Sequence, residues 1–144
     1  MKGHFVALAT LALAGCNYID GWTTDPAIRA CEFAVRQALK TPSTYQRISA
    51  AIDARSVSLS FDSQNSYGAL IRSRAKCNFW KRRGDYSGQV TPEMREAMER
   101  DPFEMTSLFL EGQRLDEVAF TLVQAKLAAE GLHRLPGDST QLEP

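Results

Sequence analysis

Few side chains in this sequence are of types that make or break bonds. Beyond the first sixteen residues the chain carries one histidine, His133, and two cysteines, Cys31 and Cys77, together with scattered carboxylates. One histidine and two cysteines cannot assemble a zinc or copper set from soft ligands. A Ser-His-Asp arrangement would have to use His133, and no nucleophile motif accompanies it. His133 reads instead as a cation beside the end of the last helix. No glycine-rich phosphate loop is present. The carboxylates that stand near one another, Asp116 with Glu117 and Glu96 with Glu99, lie among solvated charges, which gives a glycosidase pair no support. The expectation is a protein that is not an enzyme, with no catalytic residue, no metal and no cofactor.

One constellation rises above this background. The net charge is zero, with 17 basic and 17 acidic residues, yet the charges are segregated. Residues 29–83 hold eleven Lys and Arg against three acids, whereas residues 84–144 hold twelve acids against five bases. Within the basic half, Arg72, Arg74 and Lys76 alternate with small or apolar residues, and Trp80-Lys81-Arg82-Arg83 continues the run with an aromatic. Two arrangements satisfy this pattern. The acidic helices of the second half could lie over the basic row and neutralise it. Alternatively the row is exposed and faces phospholipid head groups, lipid A phosphates or an acidic protein.

The elements that position these residues follow from periodicity. Asp25 before Pro26 has the pattern of an N-cap with proline in the first helical position. Over residues 26–40, Ile28, Cys31, Ala34, Val35, Ala38 and Leu39 recur at helical spacing, and Glu32 stands one turn from Arg36. Thr41-Pro42 ends that helix. Val57, Leu59 and Phe61 alternate with Ser56, Ser58 and Ser60, turn residues fill 62–68, and a returning strand puts Ala69, Ile71, Ala75, Cys77 and Phe79 on one face. Arg72, Arg74, Lys76 and Asn78 fall on the other. A shorter strand is expected over 45–50 and a loop over 81–88. The rest reads as helix: Thr91-Pro92-Glu93 and Asp101-Pro102-Phe103-Glu104 each repeat cap, proline and acid. A longer helix is expected over 115–130, with Gly131 as its C-cap. Its apolar stripe, Leu115, Val118, Ala119, Leu122, Ala125 and Ala129, is widened by Phe120, Val123 and Leu127. Residues 135–144 lack periodicity and are expected to be mobile.

The first residues give an address. Met1-Lys2-Gly3-His4 precedes ten uncharged residues, 5–14, a run too short for a membrane-spanning helix but of the length of a secretory h-region. Leu13-Ala14-Gly15-Cys16 resembles the lipobox of bacterial lipoproteins. The resemblance implies that residues 1–15 are a signal peptide removed by cleavage, and that Cys16 carries diacylglycerol and usually an amino-terminal acyl chain such as palmitate. It also implies outer-membrane sorting, since Asn17 stands where an aspartate would retain the protein in the inner membrane. Two or three acyl chains make such anchoring effectively permanent. Residues 17–25 form a tether that reaches roughly 30 Å fully extended. The periplasm-facing compartment is oxidising, and Cys31 and Cys77 both fall on core faces, so they are expected to pair.

Leu39-Lys40-Thr41-Pro42-Ser43-Thr44, the stretch Phe61-Asp62-Ser63-Gln64-Asn65-Ser66-Tyr67-Gly68-Ala69, Arg72 and Cys77 are similar to a pattern shared by small secreted or lipid-anchored bacterial domains of unknown function: an "LK-SPST" helix end, a "D-QNS-aromatic-GA" hairpin and a closing cysteine. The likeness covers residues 30–79 and implies a fold, not an activity. The expected fold class is α+β, with an N-terminal helix tied by a disulfide to a small antiparallel sheet and followed by a helical C-terminal segment. The expected organisation is signal peptide 1–15, tether 16–25, helix and sheet 26–90, helical segment 91–134 of the same domain, and tail 135–144. The leading functional expectation is a non-enzymatic, lipid-anchored binding or assembly subunit of the envelope, with a protein partner and no nucleic acid. The alternative is a periplasmic inhibitor or immunity-type protein of an envelope enzyme.

Overall fold

A computed structural model describes residues 25–81 and 91–143 of the chain. The signal peptide, Cys16, most of the tether, and Arg82 and Arg83 in the expected loop lie outside the described residues. The fold class is α+β: an antiparallel sheet of five strands, in sequence order, with helices packed on it.

Helix α1, Pro26–Ala38, begins where the Asp25 side chain accepts a hydrogen bond from the Ala27 amide at 2.8 Å. It buries Ala27, Ala30, Cys31, Ala34 and Val35, while Ile28, Ala38 and Leu39 are only partly covered. The small residues let the helix lie close to the sheet. Glu32 does not turn to Arg36. Its carboxylate accepts from the Tyr45 hydroxyl at 3.1 Å and pairs with Arg47 at 3.5 Å, and Arg36 lies over the Tyr45 ring instead, 4.7 Å from its centroid. Burial, and then the adjacent Glu32 carboxylate, push the Tyr45 phenol well above its ordinary range.

Strands β1, Gln46–Asp53, β2, Ser56–Gln64, and β3, Leu70–Lys81, form a meander. The first of these is longer than the short strand expected there. The motif segments that carry the family-like pattern prove to be devices that hold this meander together. The Thr44 hydroxyl accepts from the Gln64 amide at 2.9 Å, and the Thr41 hydroxyl donates to the Gln64 carbonyl. Asn65 accepts from the Tyr67 and Ala69 amides at 2.9 and 3.0 Å, and Gly68, with φ +79°, supplies the left-handed residue that closes the turn. Thr41 and Thr44 thus join the segment after α1 to the hairpin, and Asn65 closes the hairpin tip itself.

The segment after β3 departs from the helical expectation. Thr91 caps a helix, α2, Pro92–Arg100, its hydroxyl accepting from the Met94 amide at 3.2 Å. Asp101-Pro102, however, opens a strand, β4, Phe103–Leu110, which pairs with β3, and a two-residue strand β5, Gln113–Arg114, follows. The physical reason is Phe103, Met105 and Leu108, which all face the core. An irregularity in register between Asn78 and Phe79, where Ser107 and Met105 are the successive partners, leaves Thr106 unpaired and returns Leu108 to the inner face. Satisfying β3 with an apolar, hydrogen-bonded neighbour outweighs the local pattern of cap and proline.

Helix α3, Glu117–Ala129, is capped by Asp116, which accepts from the Ala119 amide, and ends before Gly131 at φ +70°. It buries Val123 and Leu127, whereas Val118 and Leu122 are 74% and 62% exposed. The inward face is therefore the one treated above as a widening, and part of the expected stripe faces solvent. Contacts with α1 and β4 set this rotation: Lys126 donates to Gln37 at 2.9 Å, and Gln124 donates to the Met105 carbonyl at 3.3 Å.

The tail is likewise seated rather than loose. Leu135 forms a bridge with Phe103, Leu142 is buried, and the Thr140 hydroxyl and the Gln141 amide both donate to the Asp25 carboxylate, at 2.9 and 2.6 Å. Two apolar anchors and a shared carboxylate hold a segment that has no periodicity of its own.

Cys31 and Cys77 are joined, with Cα atoms 5.8 Å apart, so a disulfide links α1 to the middle of β3. The core beneath it comprises Val57, Leu59 and Phe61 of β2, Ala75, Cys77 and Phe79 of β3, and Phe103, Met105 and Leu108 of β4.

Candidate functional site

Side chains alternate across a strand, so each residue that faces the core leaves its neighbours on the opposite sheet face. Cross-strand register arranges those neighbours in rows. Gln46, Asp62 and Arg72 form one; Ser49, Ser60 and Arg74 the next; then Ala51, Ser58, Lys76 and Phe109; then Asp53, Ser56, Asn78 and Ser107. In the two middle rows the outer residues of β1 and β2, Ser49, Ala51, Ser58 and Ser60, are small. On β3 and β4 they include Arg74, Lys76 and Phe109. Small residues beside large ones leave a trough of about 570 Å³ across the outer face, lined among others by Ser49, Ser58, Ser60, Arg74, Lys76 and Phe109.

The three cations of the basic row differ in their surroundings. Arg72 is held by Asp62 through two hydrogen bonds, Nε to Oδ1 at 2.9 Å and Nη2 to Oδ2 at 3.0 Å. That hydrogen bonding keeps the Asp62 carboxyl below its usual range and raises Arg72. Arg74 and Lys76 are exposed, and among the described residues neither side chain has an ion-pair partner. The Glu111 carboxylate borders Arg74 but accepts from its backbone amide. Successive outward residues on a strand stand about 7 Å apart, close enough for two cations to meet one anion.

Lys81 does not extend the row. It falls on the core side of β3, and its ammonium lies 5.7 Å from the Phe103 ring centroid. Trp80 is the residue that continues the outer face, half exposed, with the Arg55 guanidinium 4.4 Å from its ring centroid.

No described helix covers this face. Helix α1 lies on the Cys77 side, as the disulfide requires, and α3 packs beside α1 and against β4. Among the described residues, the segregation of charge along the sequence is not resolved by acidic helices lying over the basic row.

Two of the remaining candidates have structural partners. Asp116 caps α3, and Glu96 pairs with Arg100 at 3.7 Å. The side chain of Glu99 lies outside the described residues. His133 is exposed beside a cavity of about 160 Å³ bordered by Glu104, Gln124 and Leu127. Among the described residues no three His, Cys, Asp or Glu side chains gather as a metal site, and no helix is long and apolar enough to cross a membrane.

Sequence reasoning found Arg74 and Lys76 but missed Ser49, Ser58, Ser60 and Phe109. The Ser56, Ser58, Ser60 alternation was a legible sign of a polar outer face. Phe109 carried no such sign, because its place opposite Lys76 depends on β4. No family model, curated protein or solved structure matches the chain.

Proposed function

We propose that this chain is a non-enzymatic, lipid-anchored binding subunit of a bacterial envelope, held through Cys16 at the periplasmic side of the outer membrane, and that its outer sheet face binds an anionic envelope component. The observation that carries the binding part is the pair of exposed cations, Arg74 and Lys76, which have no ion-pair partner among the described residues and stand on a face that no described helix covers. Clustered cations raise the local concentration of anionic partners and orient their approach. The anchoring part rests on Leu13-Ala14-Gly15-Cys16 after an apolar run, and the Cys31–Cys77 bond is consistent with an oxidising compartment.

The test uses the full chain in its own envelope. Mass spectrometry of the N-terminal peptide should find acyl chains on Cys16. After crosslinking and solubilisation, the protein should co-purify with components that the Arg74→Glu/Lys76→Glu variant loses while keeping its acyl mass. An unacylated Cys16 overturns the anchor, and equal recovery by both proteins overturns the binding face.

A further inference from the structure

We infer that the trough on the outer sheet face is a site for one single-chain anionic amphiphile, a phosphate monoester carried on an apolar stem. The inference rests on the binding-face reading above and gives that face its ligand class. Its volume of about 570 Å³ falls within the range of small-molecule sites. It is too small for a protein domain.

The lining specifies the head. Arg74 and Lys76 are consecutive outward residues on β3, and Ser60 and Ser58 stand directly opposite them on β2. Ser49 extends the first row onto β1. Among the described residues none of these three serine hydroxyls has a hydrogen-bond partner, so the trough offers a guanidinium fork, an ammonium and three hydroxyls that no described side chain or backbone group occupies. A phosphate monoester presents three acceptor oxygens and a charge of about −1.5 to −2 at neutral pH. It matches two cations and several donors better than a carboxylate with its single charge and two oxygens. Arg72 does not compete for this role, because Asp62 already occupies its fork.

The flanks specify the stem. Phe109 on β4 stands directly opposite Lys76 of β3, and Ala51 lies at the other end of the same row. An apolar stem leaving the head therefore has an aromatic or a methyl surface to lie on, whereas a free inorganic phosphate would leave both uncovered. Partial burial of the stem supplies binding that the head alone cannot.

Hexyl phosphate, soluble and monomeric, is the probe, titrated calorimetrically into the full lipidated chain in neutral phosphatidylcholine nanodiscs. Empty nanodiscs give the background. Hexyl phosphate should bind about tenfold more tightly than inorganic phosphate, and hexanol should not bind. Arg74→Ala/Lys76→Ala should weaken hexyl phosphate by at least roughly tenfold without moving the thermal midpoint. Ser58→Leu, which fills the floor, should block it with both cations intact, and Phe109→Ala should erase the advantage over inorganic phosphate. Equal binding of hexyl phosphate and inorganic phosphate would show an anion contact with no stem site and overturn the inference. So would binding that survives the double substitution or Ser58→Leu. If charge-dependent co-purification from envelopes holds while hexyl phosphate fails to bind, this inference falls and the binding-face reading stands. Loss of that charge dependence removes the binding-face reading whatever the titration gives.

Discussion

Removal of the link between Cys31 and Cys77 should be the most damaging change that leaves the outer face untouched. The two residues are 46 apart in sequence, and closing a loop of that length lowers the entropy of the unfolded chain by the equivalent of about 4 kcal/mol at 25 °C. Both side chains are fully buried between α1 and the sheet, so replacing both with alanine also leaves two small voids, costing roughly 1 kcal/mol together. The Cys31→Ala/Cys77→Ala variant should therefore lose about 5 kcal/mol, a large part of the roughly 5–15 kcal/mol that holds a domain of this size. At about 3–5 °C per kcal/mol, the thermal midpoint should fall by about 15–25 °C. Urea unfolding of the oxidised chain, the chain in reductant and the double variant measures this directly. Reduction should reproduce most of the loss, because the entropic part does not need the sulfur atoms to be removed. A difference below about 1 kcal/mol between oxidised and reduced chains would refute the argument.

Three further outcomes follow from the packing and the charge pairs. Leu127→Ala should destabilise the fold by about 2–5 kcal/mol, whereas Leu122→Ala, on the exposed side of the same helix, should change stability by less than about 0.5 kcal/mol in chemical denaturation. Asp25→Ala removes the cap of α1 together with the acceptor for Thr140 and Gln141. It should cost about 1–2 kcal/mol and speed amide exchange at Gln141 more than in the β2–β3 hairpin. Asp62→Asn releases Arg72, so anionic vesicles should bind more tightly and with a steeper salt dependence. Acid should act in the same direction. With its folded pKa depressed, Asp62 contributes its pairing energy above the ordinary carboxylate range and loses it as pH falls through the lower folded value, freeing the Arg72 fork.

How much of this could be read in advance divides along a physical line. Features set within one turn of helix or two paired strands were legible: Asp25 before Pro26 specifies the start of α1, Thr91 before Pro92 starts α2, and the serine alternation with Val57, Leu59 and Phe61 specifies β2 and its two faces. The candidate cations Arg74 and Lys76 were legible for the same reason, since period-two alternation places them away from Cys77 without reference to any other element. With Cys16 expected to carry the lipid, Cys31 and Cys77 were also the two cysteines expected to pair. Features that depend on a distant neighbour were not legible. Asp101-Pro102 has the local pattern of a helix start, and the irregularity at Thr106 spaces Phe103, Met105 and Leu108 unevenly, which erases the period-two signal of β4. Helix α3 is apolar on more than one side, so its own periodicity could not choose between Val118 with Leu122 and Val123 with Leu127; the positions of α1 and β4 made that choice. The tail shows two leucines without a period, and only Phe103 and Asp25, far away in sequence, give it a place. The trough belongs to this second group. Its cations could be read from one strand, but its serine floor and Phe109 wall exist only once four strands are in register, because backbone hydrogen bonding between strands is what turns a line of side chains into a surface.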